Sequence, residues 1–485
     1  MKKILLLVIS VITFQLHAQT YMYGTTYEGG ANGLGIIYRV DQNGQNFQKV
    51  FDFTTSTGGK PLGGLTLANG KLYGFTTEEG PVDNPGATAG FGSFFSFDPL
   101  TNNLTVIESL DDKSIIGSDI NHSPLLANDG KLYIISAQSE VGVFNSIIST
   151  YDLGTQAISV LATLDRTTHG QGRSKLMQAS NNHFYIATSN GGTNDFGTIT
   201  RWNTSTNQLE VLFNSTGPGE SPNHGFKNAQ NGLIESSDGY LYGTSTQGGD
   251  ITDVGVLFRI KLDGTDYSAL EVFKSGIQDQ GFYPYSGLTE LNGLLYGNTS
   301  EENIDNVNAG TLFTYNLTTG VVDYFYTLDL EGYTPKGTMT LSTNNRLYFT
   351  TTGENGGNNG SLIEYNPING NVTQRHSFNG TNGSKPYYDE LAVVDFTSLS
   401  IDESSLLDNI VNTYPNPFQD VVNIKVEGSH LIETIKILDL KGSELYIDNS
   451  KSNESNVNTS FLSSGVYLLY IQTDIGSTTR KITKE

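Results

Sequence analysis

A glycine-rich stretch that recurs through most of the chain is the feature that most limits its fold. One copy is Gly239 to Gly264, GYLYGTSTQGGDITDVGVLFRIKLDG, in which short apolar and aromatic runs flank the glycines. One unit has too few apolar residues to bury a core alone, so it must stack on neighbours. The seven copies, aligned on a central tyrosine at intervals of 50 to 60 residues, are marked by Tyr23, Tyr73, Tyr133, Tyr185, Tyr242, Tyr296 and Tyr348.

Each copy predicts four antiparallel strands. Six of the tyrosines follow a turn signal such as Asn69-Gly70 or Asp238-Gly239. These residue types adopt the positive φ of a type I′ hairpin at least cost. Beyond Tyr242, further strands are predicted at Val256 to Lys261 and at Leu270 to Phe273. Repeats of about 50 residues with four strands are typical of β-propeller blades, kelch-like in length.

The two ends of the array each lack a strand. Tyr21 to Gly24, YMYG, has the pattern of a second strand with no first strand before it. Glu390 to Asp395, ELAVVD, has the pattern of a first strand with no hairpin after it. We therefore expect the late strand to complete the first blade and to close a seven-bladed β-propeller over residues 19–396. Closure would remove the exposed sheet edges that invite aggregation.

Composition narrows the class of protein. The chain has 55 glycines and no apolar runs of helical period after its N-terminus, which favours an all-β protein. It has no cysteine, which excludes disulfides and thiolate metal sites. The formal net charge of −23 repels phosphate groups and argues against binding of nucleic acid or of anionic membrane surfaces.

The N-terminus has the pattern of an export signal. Lys2 and Lys3 precede an apolar run from Ile4 to Phe14, and a small residue follows at Ala18. The run is too short to span a membrane, and no other stretch is long enough. We expect residues 1–18 to be a signal peptide that is cleaved after Ala18, and we expect no transmembrane segment.

The repeat resembles the GloVer tandem repeat of secreted bacterial proteins. The shared pattern is L-Y-G-T-[ST], a G-G pair, then [GV]-x-[LIV]-[FY]-[RTK] and [DN]-G. It matches well at Tyr21 to Phe53 and at Gly239 to Phe273. The third and fourth copies depart from it, since Gly130 to Ile135 reads GKLYII and Ala187 replaces the glycine of LYG. The resemblance implies a propeller-like array outside the cell and assigns no activity to particular residues.

The last part of the chain, residues 413–485, follows a predicted linker at 397–412 and lacks the repeat pattern. Alternating apolar residues in Val421 to Val426 and Val466 to Thr473 predict a small β-sandwich. The module resembles the type A sorting domain of the type IX secretion system. The residues that carry this resemblance include Tyr414, Pro415, Asn416, Pro417, Phe418, Gly465, Tyr467 and Lys481. The resemblance implies recognition by the type IX machinery, removal of the module, and release or surface attachment of the rest.

Three histidines lie in the loops that enter the third, fourth and fifth copies. The tight turns share one rim of the predicted propeller, so these longer loops share the opposite rim, where sites are usually found. His122, His169 and His224 could converge there on a divalent metal ion, or could be separate loop histidines, because no short ligand spacing links them. Loops such as Gly248-Gly249-Asp250 could hold calcium or could simply form turns.

Aromatic residues crowd the loops that enter the sixth, seventh and first copies. They are Phe282, Tyr283, Tyr285, Tyr333, Tyr387 and Tyr388. Aromatic faces suit sugar rings or the side chains of a protein partner. The alternative is that Tyr285 and Tyr387, each of which follows a proline, merely pack the loop where it enters the inner strand.

No catalytic motif is present: the chain lacks G-x-S-x-G, H-E-x-x-H and a phosphate loop. We predict a secreted or cell-surface binding scaffold that recognises a glycan or a surface protein without a cofactor. The alternative is an extracellular, metal-assisted polysaccharide lyase or hydrolase that uses the histidines.

Overall fold

The elements that the structure describes are all β-strands. The structure, a computed structural model, describes residues 20–82, 90–111, 114–137, 144–219, 224–275, 280–301, 303–304, 307–308, 310–328, 334–353, 358–388, 390–396, 411–426, 430–439, 444–449, 451–473 and 476–485. The predicted signal peptide, Tyr333 and positions 397–410 of the predicted linker lie outside these residues. The chain divides into a unit of Thr20–Val394 and a second unit that includes Asp395–Glu485.

The repeats form seven four-stranded sheets in the described residues. The strands of each sheet are given from the first to the fourth strand of the repeat. Sheet 1 consists of Ala392–Asp395, Thr20–Thr26, Ile36–Asp41 and Gln48–Asp52. Sheet 2 consists of Thr66–Ala68, Lys71–Phe75, Gly90–Asp98 and Asn103–Asp111. Sheet 3 consists of Leu125–Leu126, Leu132–Ser136, Ser146–Tyr151 and Ile158–Leu164. Sheet 4 consists of Met177–Gln178, Phe184–Ala187, Thr198–Asn203 and Gln208–Asn214. Sheet 5 consists of Ile234–Glu235, Tyr240–Ser245, Val256–Lys261 and Ser268–Val272. Sheet 6 consists of Thr289–Leu291, Leu294–Asn298, Thr311–Asn316 and Val322–Thr327. Sheet 7 consists of Thr340–Leu341, Leu347–Thr351, Ser361–Asn366 and Asn371–Ser377. Short pairs join Phe226–Lys227 to Gln247–Gly248 and Asn303–Ile304 to Val307–Asn308.

The six predicted hairpins are of two kinds, which corrects the single turn type expected. Asn69-Gly70 and Asn292-Gly293 have positive φ at both residues and form two-residue turns. In the other four, only the second residue of the signal has positive φ, and the loop has three residues. Asp238 shows the reason, because its Oδ1 accepts the amide of Tyr240 at 3.1 Å. That side-chain bond stabilises a type I turn followed by one left-handed residue, Gly239.

A β-bulge interrupts the pairing of the third and fourth strands in every one of the seven sheets. In sheet 5 it lies between Leu257 and Phe258, and in sheet 1 it lies at the equivalent place, between Ile37 and Tyr38. The bulge recurs in the remaining five sheets. A bulge increases local twist and redirects side chains, so the repeats share their geometry as well as their strand count.

Each sheet packs on the next through buried apolar side chains. Tyr133 of sheet 3, for example, stacks on Phe184 of sheet 4 with ring centroids 4.3 Å apart. Comparable clusters join sheets 2 and 3, 3 and 4, 4 and 5, 5 and 6, and 6 and 7. Sheets 1 and 2 meet where Phe53 contacts Phe95, with centroids 5.4 Å apart. The core is therefore a series of inter-sheet layers.

Sheet 7 also packs against sheet 1. Tyr38 of sheet 1 shares a buried cluster with Tyr348 of sheet 7. The carbonyl of Gln42 accepts hydrogen bonds from Asn344 Nδ2 at 2.7 Å, Ser342 Oγ at 3.1 Å and the Tyr348 hydroxyl at 3.2 Å. The strand missing from sheet 1 is supplied by Ala392–Asp395, which lies beside Thr20–Thr26, as the two incomplete ends predict.

A glycine before the third strand lets the next repeat approach. A Cβ at Gly255 would lie 2.7 Å from Cδ of Pro284, in the loop that enters sheet 6, and φ at Gly255 is +118°. The same contact recurs at three other junctions, in the pairs Gly35 with Pro61, Gly310 with Pro335 and Gly360 with Pro386. Glycine is required here because any side chain would displace the proline.

The C-terminal unit has two sheets on one core. Val411–Tyr414, Val421–Val426 and Glu454–Asn458 form a three-stranded sheet; Glu444–Asp448, Ile432–Leu438, Gly465–Thr473 and Gly476–Lys484 form a four-stranded one. Val422 and Ile424 of the first sheet and Ile435 and Leu469 of the second are buried in a shared cluster. This is the packing of a small β-sandwich.

Candidate functional site

Segments at or just before the first strands of sheets 1 and 3 to 7 line one space of about 260 Å³, which we call the central space. Its wall includes the apolar side chains Leu125, Leu176, Leu233 and Leu288. A small polar cavity of about 30 Å³ adjoins this space and shares Lys175 and Glu390 with it; we call this cavity the mouth. The mouth is lined by Gly64, His122, Ser123, Lys175, Asn231, Gly232, Lys336, Thr338, Tyr388 and Glu390. Segments that enter six different sheets therefore meet at one place.

An ion pair crosses this mouth. Lys175 Nζ, from the segment that enters sheet 4, lies 2.5 Å from Glu390 Oε2, from the segment that enters sheet 1. The positive charge of Lys175 holds the pKa of Glu390 below its usual value. The pair thus joins segments that enter two different sheets.

His122 is the one predicted histidine that reaches the mouth. Its Nε2 lies 2.7 Å from the carbonyl of Gln230, which requires a proton on that nitrogen. Burial lowers the pKa of His122 to about 4, so the imidazole is neutral at pH 7. Its ring lies near that of Tyr388, with centroids 5.7 Å apart. His122 thus packs and bonds within the mouth as a neutral side chain.

The other two histidines do not line the mouth. His224 Nδ1 lies 3.2 Å from the carbonyl of Gly249. His169 is half-buried, burial lowers its pKa, and its buried Nδ1 has no hydrogen-bond partner in the structure. Within the described parts of the chain, no three His, Asp or Glu side chains form a group that could hold a metal ion. His122, His169 and His224 therefore do not form such a group in the structure, which favours separate loop histidines over the alternative of a shared metal site.

The predicted aromatic set divides in two. Tyr285, Tyr387 and Tyr388 lie near the mouth, and the ammonium of Lys336 lies 5.2 Å from the ring centroid of Tyr285 and 4.7 Å from that of Tyr387. Phe282 is instead buried in the core between sheets 5 and 6, and Tyr283 packs edge-on against it. We name Tyr27, Tyr285, Lys336, Tyr387 and Tyr388 the Tyr–Lys patch.

Sequence reasoning missed two members of the Tyr–Lys patch. Lys336 follows Pro335 just as Tyr285 follows Pro284 and Tyr387 follows Pro386, and this shared position after the proline was a signal that could have found it. Tyr27 contacts Tyr387 edge-on with centroids 5.1 Å apart. No sequence signal marks that contact.

In the C-terminal unit, the predicted sorting motif binds the last strand. Asn416 Nδ2 donates to the carbonyl of Lys481 at 3.1 Å, and its Oδ1 accepts the amide of Thr483 at 2.9 Å. Phe418 is buried, and its amide donates to the carbonyl of Thr483. Tyr467 donates its hydroxyl to the carbonyl of Ser463 at 2.8 Å. Pro415 and Pro417 flank Asn416, and Gly465 begins the strand Gly465–Thr473.

Two family models match the chain. Residues 119–363, about half of the chain, match the Gloeobacter/Verrucomicrobia repeat, and residues 412–485 match the Secretion system C-terminal sorting domain. Fold and matches together define an all-β repeat protein with a sorting tail. The chain belongs to the Gloeobacter/Verrucomicrobia repeat family. A search of the curated proteins finds no match.

Several solved structures are similar to this chain. The periplasmic gluconolactonase PpgL of Pseudomonas aeruginosa has a TM-score of 0.50 and 17% identity over 78% of this chain and 99% of that chain. The β-propeller domain of the Trilobed protease from Pyrococcus furiosus has a TM-score of 0.43 and 10% identity over 75% and 96%. PorZ, a surface component of the type IX secretion system of Porphyromonas gingivalis, has a TM-score of 0.43 and 14% identity over 93% and 63%. The likeness to PpgL concerns the fold alone.

The sorting domain gives the cellular address. The protein is secreted or attached to the outer cell surface, and the type IX machinery handles its C-terminal domain. Across the residues that are described, no helix is long and apolar enough to span a bilayer.

Proposed function

We propose that this protein is an extracellular binding scaffold that recognises a glycan at the Tyr–Lys patch. The observation that carries the proposal is the position of Lys336 between the rings of Tyr285 and Tyr387. Aromatic faces stack on the apolar faces of sugar rings, and an ammonium donates hydrogen bonds to sugar hydroxyl or carboxyl oxygens.

The surroundings of the Tyr–Lys patch support this role. Tyr285, Lys336 and Tyr387 are each partly exposed, so a ligand can reach them. They come from three consecutive entry loops that are held by the glycine and proline contacts between repeats. A rigid patch loses little conformational entropy on binding, which favours recognition of a flexible glycan.

We also infer that the seven sheets are the blades of one closed β-propeller. The packing of sheet 7 on sheet 1 and the central space lined by segments of six sheets support this architecture. Tyr27 and Tyr387 lie in one patch because they flank neighbouring strands of sheet 1, Thr20–Thr26 and Ala392–Asp395.

The test is binding of the purified protein to a glycan array, followed by titration calorimetry with the strongest ligand. Tyr387→Ala and Lys336→Ala should each weaken binding at least about tenfold, since each removes a direct contact. Tyr240→Ala is the matched control, because Arg259 lies 4.4 Å from the ring centroid of Tyr240 in a similar pair near the Asp238 hairpin. The proposal would be refuted if no glycan binds, or if Tyr240→Ala weakens glycan binding as much as Tyr387→Ala does. If the protein instead binds a surface protein in a way that depends on Tyr387, the ligand of the patch is a protein and not a glycan.

A further inference from the structure

A second cavity lies at the junction of sheets 5 and 6. Its volume is about 330 Å³, within the range of small-molecule sites. It is lined by His224, Asp250, Glu271, Val272, Lys274 and Gln280. None of these residues lines the mouth of the central space, so the cavity is separate from the Tyr–Lys patch.

Glu271 occupies an unusual position for a carboxylate. It pairs with Leu257, the residue just before the bulge of sheet 5. The residues at the equivalent position of the other sheets are Phe51, Glu108, Ala162, Phe213, Tyr326 and His376. Five of these six are not acidic, as expected of a position that packs against the next sheet. Burial raises the pKa of Glu271 although its Oε1 accepts hydrogen bonds from the Tyr324 hydroxyl at 3.0 Å and from Gln280 Nε2 at 2.7 Å.

Gln280 leaves a buried acceptor without a donor. Its Nε2 donates to Glu271 Oε1 at 2.7 Å and to the Tyr324 hydroxyl at 3.1 Å, and the carboxylate partner fixes the orientation of the amide. Its Oε1 is buried and has no hydrogen-bond partner in the structure, although Gln280 is only 8% exposed. A buried acceptor of this kind costs free energy until a donor reaches it.

The remaining lining residues supply both donors and acceptors. Burial opposes ionisation of Asp250, but the hydroxyl and amide of Thr252 hold the pKa of Asp250 below its usual value, so it accepts as a carboxylate. His224 Nδ1 lies 3.2 Å from the carbonyl of Gly249, so Nε2 is the ring nitrogen that remains for a ligand. Lys274 adds an ammonium donor.

We propose that this cavity binds one ring of a neutral sugar, with Gln280 Oε1 and Glu271 accepting hydrogen bonds from its hydroxyls and Lys274 donating to them. A sugar hydroxyl both donates and accepts hydrogen bonds, so it can pair with a cavity lining that offers both donors and acceptors. A free ammonium ligand would satisfy the acceptors but would offer no acceptor to Lys274. The proposal goes beyond the Tyr–Lys patch and does not rest on it.

The experiment is saturation-transfer NMR on the full chain with glucose, galactose, mannose and N-acetylglucosamine, with glucosamine as a cationic comparison. We expect at least one neutral sugar to bind, and Gln280→Met and Glu271→Gln to weaken it at least about tenfold. The binding that belongs to this cavity is the part that Gln280→Met weakens and Tyr387→Ala does not, which separates the two sites.

Glu108→Gln is the control, since Glu108 occupies the same register position in sheet 2. Thermal melting of each variant verifies folding, and Glu271→Gln keeps the shape of the side chain if Gln280→Met does not fold. The proposal is overturned if no neutral sugar binds, if glucosamine alone binds, or if Glu108→Gln weakens binding as much as Glu271→Gln does.

Discussion

The ammonium of Lys175 and the carboxylate of Glu390 lie 2.5 Å apart although 215 residues separate them in sequence. Lys175 precedes the first strand of sheet 4, and Glu390 precedes the first strand of sheet 1. One contact thus spans the central space and joins two distant parts of the repeat array.

Replacing Lys175 should cost little stability. The Glu390 side chain is 41% exposed, so solvent screens the pair, and Lys175→Met should lower the free energy of unfolding by no more than about 1 kcal/mol at pH 7. Because Lys175 lowers the pKa of Glu390, this contribution should vanish as pH falls through the folded-state pKa. Urea unfolding of both proteins at pH 7 and pH 3 measures it; a loss of several kcal/mol would contradict the screened pair.

His122 should make stability depend on pH between 6.5 and 4. Its pKa is about 4 in the folded protein and near 6.5 when unfolded, so the unfolded chain binds more protons in that window. Stability should therefore fall as pH drops from 6.5 to 4, by up to about 3 kcal/mol. His122→Gln should reduce this slope in urea unfolding, whereas His183→Gln, at a turn beside Thr204, should retain it. An unchanged slope in His122→Gln would show that His122 is not the titrating group.

The glycine before the third strand of sheet 5 should tolerate no side chain. A Cβ at Gly255 would lie 2.6 Å from the carbonyl oxygen of Ser245 and 2.7 Å from Pro284, so Gly255→Ala should cost about 3 kcal/mol or more. Gly239→Ala is matched in positive φ but has nothing within 4 Å of the new Cβ, so it should cost only about 1–2 kcal/mol. Chemical unfolding measures the loss in free energy of unfolding for both variants. Equal losses would mean that only backbone strain, and not the contact with Pro284, makes Gly255→Ala destabilising.

Cysteines placed across the junction of sheets 7 and 1 should cross-link within one molecule. The chain has no native cysteine, and Asn344 Nδ2 lies 2.7 Å from the carbonyl oxygen of Gln42. The double variant Gln42→Cys with Asn344→Cys should react with a short bis-maleimide to a single monomeric species in mass spectrometry. Gln42→Cys with Asn182→Cys, whose second site is in the hairpin of sheet 4, should not. Efficient cross-linking of both pairs, or of neither, would argue against the packing of sheet 7 on sheet 1.

Asn416 should be needed for efficient export. Asn416→Ala removes two hydrogen bonds to the last strand, about 1–2 kcal/mol together, and so destabilises the sorting domain that the type IX machinery handles. Immunoblots of cells and medium from a host with type IX secretion should show less released protein than with Asn453→Ala, an exposed control. Export equal to the unaltered protein would mean that these bonds are dispensable.

Much of the architecture was predictable because it depends on local pattern. The tyrosine spacing identified seven units, and the orphan strands at the two ends identified their pairing. The turn type was partly wrong, because an Asx bond at Asp238, and not the turn dipeptide alone, selects a three-residue loop. The candidate site was less predictable: Tyr285 and Tyr387 lie at the mouth, whereas Phe282 is a core residue and the three histidines stay apart.

The sequence by itself determined the repeat, the all-β class, the sorting tail and thus the extracellular address, because each is encoded in short motifs whose chemistry is local. Only the tertiary structure decided that Lys336 lies between two tyrosines, that Lys175 meets Glu390, and that Gln280 leaves an acceptor unsatisfied beside Glu271. The first two relationships join segments that enter different sheets, and the third lies where sheets 5 and 6 meet. Their geometry depends on how neighbouring sheets pack, which no single repeat contains.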